Sequence, residues 1–392
     1  MSGNTSDVLH ISRKILGEYD LCDDCLGRLF VKKLHLQSNS RLGKKLHALL
    51  RKKTIKCYIC KNLFDSLEHY VEKLDNISKE YEFETFLVGA KIKPSILDRD
   101  DQIRSQFQLR GIDSIKTAIT RHIARQFSKK TGTTANPAEP DVVFTVDFKA
   151  DSCTIQSKPL FLFGRYTKSV RGIPQKQKPC ENCLGKGCVT CKQHGMTEFD
   201  SVEGMISKML FERFGAVQTK ITWVGGEDAT SKVLGSGRPF FVKLINPKKR
   251  NIRMEKKIPT DKITVLNLKK IPRLPAGPVS FISDVTLLIS SEQPLSDQTL
   301  SKLDELQKSK ITVYEDSGKR SEKSVRNVRY SVESDNLLTL SMTAEGGLPM
   351  KHFVSGENVF PNISDLLGTK CRCETFDFEE ISITNQHFLH HV

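Results

Sequence analysis

The isoleucines of IKTAITRHIARQF, Ile115, Ile119 and Ile123, recur every fourth residue, a spacing that gathers them on one face of an amphipathic helix. Leu42, Leu46, Leu49 and Leu50 form a second stripe, which Asn39 or Ser40 can cap, and Leu67, Val71 and Leu74 form a third behind Ser66. SVEGMISKMLFERFG predicts a helix from about Ser201, and Leu300, Leu303 and Leu306 predict a later one. Segments of apolar alternation fill the space between. YEFETFLVGAKI, DVVFTVDFKA and Thr154 to Phe163 read as strands of the first half. FFVKLINPKK, KITVLNLKK, VSFISDVTLLI, KSKITVYED and NVRYSVESDNLLTLSMTAEG read as strands of the second. Strands and helices do not alternate regularly, which argues against a doubly wound nucleotide-binding fold and for an α+β class. The polar, proline-punctuated RGIPQKQKP marks the expected domain boundary. The expected order is a helical segment over 1–65, a mixed domain over 66–175, a cysteine-bearing connector over 176–200 and a larger domain over 201–392.

Length and charge sharpen this picture. A chain of 392 residues can bury more than one core. Its 61 basic against 46 acidic residues give a net charge of +15, which attracts polyanions, with nucleic acid the first candidate. Arg121 and Arg125, with His122, decorate the helix of the first domain, and Arg165, Lys168 and Arg171 follow in GRYTKSVRG. Together they are expected to form an RNA-docking face; a solvated helix surface explains the first group nearly as well. The helix at Leu42 carries its own basic face, with Arg41, Lys44 and Lys45. No stretch is apolar enough to cross a bilayer, and MSGNTSDVLHIS lacks the apolar run of a signal peptide, so a cytoplasmic protein without a membrane partner is expected.

Eight of the eleven cysteines fall in CxxC pairs. Cys22 and Cys25 with Cys57 and Cys60 make one set of four thiolates, a complete tetrahedral shell for structural zinc with no open catalytic position. Cys180, Cys183, Cys188 and Cys191 make a tighter set, CENCLGKGCVTC, in which Gly185 and Gly187 let the chain double back. An iron–sulfur cluster is the chemical rival at either set. Cys153, Cys371 and Cys373 read as packed or free thiols.

The stretch WVGGEDATSKVLGSGRPF, taken alone, reads as two glycine-rich turns with a pair of acids between them. Four segments in series change that reading: YDLCDDCLGRLF, FGRYTKSVRGIPQ with the cysteine knuckle behind it, GEDATSKVLGSGRPFFVKLINP, and GLPMKHFVSGE. Across essentially the whole chain these resemble the Pus10 family of tRNA pseudouridine synthases, in its archaeal form. The resemblance implies a zinc-pinned N-terminal module containing a tRNA-recognising THUMP domain. It implies, behind that module, a mixed α/β catalytic domain built on an antiparallel sheet. The implied reaction is isomerisation of uridine to pseudouridine in the TΨC arm, at tRNA positions 54 and 55, without an organic cofactor. A monomer is expected.

The same resemblance assigns roles to residues. Asp228 falls on the family's catalytic aspartate, a carboxylate able to act as nucleophile or base at the sugar. Lys351 falls on the basic residue that would keep it ionised. Tyr330 is the candidate for the tyrosine that stacks on the uracil, although a strand tyrosine packed in the core fits its position equally well. Leu348 is expected to line the pocket. Arg238 is expected to contact phosphate or brace the motif loop, and Lys232, Lys248 and Arg250 are expected to contact the substrate, a solvated turn being the alternative at the last two. The chain also departs from the family pattern. Gly226 stands where an arginine precedes the Glu-Asp pair, Thr230 replaces an aspartate, Lys232 an arginine and Pro349 a tyrosine. A noncatalytic tRNA-binding protein on the same scaffold is the competing reading. A zinc-stabilised interaction protein leaves the charge and the C-terminal motifs unexplained.

Overall fold

The computed structural model describes residues 2–315 and 317–384, with side chains from residue 5 onward. The last eight positions of the expected second domain, 385–392, lie outside the described residues. The chain divides into two compact units after Lys158.

In the first unit the predicted stripes become helices Asn39–Leu50, Leu67–Ser78 and Ile115–Thr131, joined by Ser2–Glu18, Asp23–Arg28 and Pro94–Gln106. Ser38, one residue before the expected cap, accepts from the Arg41 N–H and starts the first of them. Ile115, Ile119 and Ile123 are fully buried, as their spacing requires. They pack beneath a four-stranded mixed sheet in the order Thr134–Ala135, Thr85–Lys91, Val142–Asp147, Ser152–Ser157. One apolar cluster runs from Val8 to Phe148. Residues 1–65 therefore share a core with the mixed domain and do not form a separate segment.

The second unit is built on a nine-stranded sheet, ordered Val325–Ser334, Leu337–Glu345, Phe281–Ser291, Cys371–Ile383, Val233–Ile245, Leu160–Lys168, Thr264–Ile271, Lys257–Pro259. Gln218–Trp223 also pairs with Val233–Ile245. Among the described residues every pairing in this sheet is antiparallel except one, where Phe378 meets Val233 in parallel, so the sheet is mixed rather than purely antiparallel. The exception follows from the length of Val233–Ile245, whose start lies beside Cys371–Ile383 and whose end lies beside Gln218–Trp223. Helix Val202–Phe214 starts where expected, with Ser201 as its cap, and lays Ile206, Leu210 and Phe214 into the core with Leu162, Tyr166, Phe240 and Val242.

The segment Thr154 to Phe163, which reads as one strand, is two, and they belong to different units. Leu160–Lys168 lies between Val233–Ile245 and Thr264–Ile271, with Leu162 and Tyr166 in the second core. The boundary therefore precedes Pro159 instead of falling near residue 175. A pairing partner some 70 residues downstream decides it, and local pattern carries no trace of that partner.

Candidate active site

The loop 224–232 joins Gln218–Trp223 to Val233–Ile245 and forms one wall of a cavity of about 420 Å³. Asp228 stands at this wall. Its Oδ2 lies 2.8 Å from the Lys351 ammonium, and its Oδ1 accepts from the Thr230 N–H and hydroxyl, each at 2.8 Å. Lys351 arrives from the short helix Met350–Ser355 of the GLPMKHF segment. Partial burial pushes the Asp228 carboxyl up, but the Lys351 and Thr230 hydrogen bonds and the lysine charge outweigh it and hold it at about 2. The carboxylate is ionised at neutral pH and oriented from both oxygens. Thr230, which replaces the family's aspartate, supplies two of these three contacts.

The opposite wall is apolar and aromatic. Phe281, Phe376, Phe378, Leu348 and Met350 line it. Phe281 comes from one strand, and Phe376 and Phe378 come from its sheet neighbour, two residues apart. The Phe281 ring is gripped by two glycines. A Cβ on Gly225 would lie 2.4 Å from its Cζ, and one on Gly346 would lie 2.5 Å from its Cε1. A slot of flat aromatic surface facing one fixed carboxylate suits a planar ring carried on a sugar.

Behind the loop the charge arrangement is different. The Glu227 side chain is fully buried, 3.0 Å from the Lys168 ammonium and 3.7 Å from Arg238 Nε, and the residue, like Arg238, also borders the cavity. Burial pushes its carboxyl up against the pull of both cations. Lys168 is itself fully buried and donates to the backbone carbonyls of Ile173 and Asp228, each at 3.1 Å. Arg238 is equally buried, lies 4.2 Å over the Phe378 ring and donates to the Val224 carbonyl at 2.9 Å. Lys168, being fully buried, is not part of an RNA-docking face, and of the two roles expected for Arg238 its contact with the Val224 carbonyl fits bracing the motif loop.

The remaining expected residues scatter. Tyr330 sits on the edge strand Val325–Ser334 opposite Leu340, half-buried against the core, and does not line the cavity. The aromatic surface there is supplied by the three phenylalanines, whose only sequence signal is period-two spacing in FISDV and TFDFE. Lys232 holds the strand Cys371–Ile383 through its backbone, donating to Asp377 and accepting from the Phe378 N–H. Lys248 and Arg250 follow the end of Val233–Ile245 that pairs with Gln218, and neither lines this cavity. Arg165 is only partly exposed and spends its guanidinium on Ser236, Gly237 and Ile381. Arg171 grips Asp377 with both terminal nitrogens, at 2.7 Å each, and also bonds the Thr230 carbonyl. Arg121 and Arg125 are exposed on the first unit, the former paired with Asp113, and together they flank a groove of about 580 Å³. Gly226 is open to solvent, and a Cβ there would meet only Gln175, at 3.9 Å. Space for a side chain therefore exists where the family's arginine is missing.

Both cysteine sets converge. In each, the four sulfurs lie within 4.8 Å of one another. Neighbouring sulfurs stand 3.6 Å apart at Cys22–Cys60 and 3.8 Å apart at Cys183–Cys191, close to the roughly 3.8 Å edge of a tetrahedron with 2.3 Å metal–sulfur bonds. In the knuckle the N–H groups of Gly187, Cys188 and Gly195 donate to sulfur at 3.2–3.3 Å, as suits thiolates carrying negative charge. Each set can hold a metal ion, and the knuckle's cysteines do not line the Asp228 cavity.

Comparison with known proteins agrees with this geometry. Residues 161–382 match the family model described as Pus10, C-terminal, and residues 70–147 match the model of the archaeal Pus10 THUMP domain. The first match begins inside the strand Leu160–Lys168, where the second unit begins. A protein of Nitrosopumilus maritimus named tRNA pseudouridine synthase Pus10 is 48% identical over 376 residues, 96% of this chain and 98% of its own. Relatives of the same name from Cenarchaeum symbiosum and Methanocaldococcus jannaschii are 38% and 29% identical, covering 93% and 96% of this chain and 90% and 95% of their own. With one family model spanning more than half of the chain and relatives matching it nearly end to end, the chain belongs to the Pus10 family.

Proposed function

We propose that this protein isomerises uridine to pseudouridine in the TΨC arm of tRNA, at position 54, 55 or both, with Asp228 as the catalytic carboxylate. The observation that carries the reading is the Asp228–Lys351–Thr230 contact at the mouth of an aromatic slot. The reaction breaks the bond between C1′ and N1, turns the freed uracil and joins C1′ to C5. The hydrogen leaving C5 is balanced by one gained at N1, so no redox partner is needed. An ionised carboxylate beside the sugar can attack C1′ or take a proton from the sugar, and either role stabilises the charge that develops as the bond opens. Phe281, Phe376 and Phe378 offer the flat surface on which the displaced base can turn, the role that the resemblance assigns to Tyr330. The target nucleotide must leave its stack to enter, as in other enzymes that act on a base.

The first unit supports this reading as the tRNA-holding module. Its exposed Arg121 and Arg125 flank a groove in the region that matches the THUMP model, and phosphate contacts there would supply salt-sensitive affinity. The two cysteine sets would be held by structural zinc through Cys22, Cys25, Cys57 and Cys60 and through Cys180, Cys183, Cys188 and Cys191. When bound, zinc supplies a rigid tetrahedral link and no chemistry on the RNA.

The test is to incubate unmodified tRNA with wild-type and Asp228→Asn protein and to map pseudouridine at single-nucleotide resolution. Product in the TΨC arm with wild type, and none with the variant, is expected. Folded wild-type protein that binds tRNA but yields no product would establish the competing, noncatalytic reading. Product elsewhere would remove the assigned position.

A further inference from the structure

The segment that follows strand Leu160–Lys168 has a backbone partner at nearly every step of the motif loop. Lys168 Nζ donates to the Asp228 carbonyl at 3.1 Å. The Arg171 guanidinium donates to the Thr230 carbonyl. The Gly172 N–H donates to the Ala229 carbonyl at 2.7 Å, and the Gln175 amide reaches the Gly225 carbonyl at 3.4 Å. Four donors from eight residues thus meet four carbonyls within six residues of the loop. Two of them are themselves anchored: Lys168 by buried Glu227, and Arg171 by bidentate contact with Asp377.

A loop that needed only to close a turn would not demand a fully buried lysine. Desolvating an ammonium is costly, and apolar residues of similar volume generally replace a buried ion pair without loss of stability. The burial therefore has to be explained by what the ammonium does. A lysine at this point supplies donors to the Asp228 and Ile173 carbonyls at once, which no apolar side chain can.

Resting on the reading of Asp228 as the catalytic carboxylate, we propose that the segment 168–175 is a clamp that sets the position of Asp228, with Lys168 and Glu227 as positioning residues. The clamp fixes the main chain at Asp228, so that its carboxylate meets Lys351 and Thr230 before substrate arrives. It also joins FGRYTKSVRGIPQ and GGEDATS in a common role, because the first segment holds the second.

The test compares wild type, Lys168→Met and the double variant Lys168→Met/Glu227→Gln. It measures single-turnover rate at saturating enzyme, tRNA dissociation constant, thermal unfolding, and hydrogen exchange of residues 225–232. Lys168→Met should slow turnover by about 100-fold, the cost of a catalytic group displaced by about 1 Å. It should leave tRNA affinity within about twofold and speed exchange in 225–232. The double variant removes both charges of the Lys168–Glu227 pair but leaves buried Arg238 without its carboxylate, so its rate should stay low and its unfolding temperature below wild type. Recovery of rate together with stability would mean that the pair only holds the fold, and would overturn the proposal. Loss of tRNA affinity with an unchanged saturating rate would overturn it in favour of an RNA contact. If wild type makes no pseudouridine, the catalytic reading fails by itself. Exchange then decides the clamp: unchanged exchange in the Lys168→Met protein refutes it, and faster exchange confined to 225–232 supports it.

Discussion

Glu227 and Asp228 are neighbours in sequence and both border the cavity, but their side chains meet different surroundings. Glu227 turns inward to two buried cations, and burial raises its carboxyl above the ordinary value. Asp228 turns outward to one half-exposed lysine and a threonine, and its carboxyl falls to about 2. The difference teaches that the charge of a side chain does not decide its use. Water and geometry do: the inner acid holds the loop's scaffold, and the outer acid faces the slot where a nucleotide can enter.

Exchanging each acid for its amide separates the two roles most sharply. Asp228→Asn should lower the single-turnover rate by about 1000-fold or more while leaving the unfolding temperature nearly unchanged. Glu227→Gln should do the reverse in kind, costing several degrees of stability and only about tenfold in rate, because it leaves two buried cations short of a partner. Equal rate losses in the two variants would erase the distinction between them.

Lys351→Met probes the outer side alone. Removing the ammonium should slow turnover by roughly 100-fold, the scale of one lost charge-stabilising contact. Rapid-quench measurement with saturating enzyme reads this directly, and an unchanged rate would reassign Lys351.

Metal removal acts at a distance from both acids. Metal analysis should find two zinc ions per chain. Replacing Cys191 by serine should remove one, lower the unfolding temperature and leave the folded fraction able to turn over at a rate within about threefold of wild type. A collapse of turnover in protein that remains folded would tie the knuckle to the site.

The smallest effect is in acid. The Asp228 carboxyl is depressed from 3.8 to about 2, so its pairing contributes stability above about pH 4 and loses it as pH falls through about 2. Lys351→Met should flatten that part of the acid limb, measured as the difference in unfolding temperature between pH 5 and pH 2.5.

Much of this is legible in the sequence. The helix stripe Ile115–Ile119–Ile123, the helix start near Ser201 and the two cysteine sets rest on local pattern, and each occurs where that pattern puts it. Asp228 and Lys351 are 123 residues apart, and nothing local joins them; only the resemblance to a family brings them together. The failures have one physical source. Lys168 reads as an RNA contact because cations usually sit in water, and a sequence does not reveal that a buried glutamate awaits it. Lys248 and Arg250 are close to the motif in number but do not line the cavity. Tyr330 offers an aromatic ring in the right part of the chain, but the sheet register places Phe281, Phe376 and Phe378 at the slot.

The two glycines around Phe281 carry a consequence of their own. A methyl group at Gly346 would press on that ring, and one at Gly225 would press on both the ring and the Arg238 guanidinium. Alanine at Gly346 should therefore narrow the slot, whereas at Gly225, whose φ of +78° disfavours a side chain, it should also disturb the loop that carries Asp228. The Gly346→Ala protein would dock its RNA and refuse the nucleotide, so the two smallest residues of the site act as its doorposts.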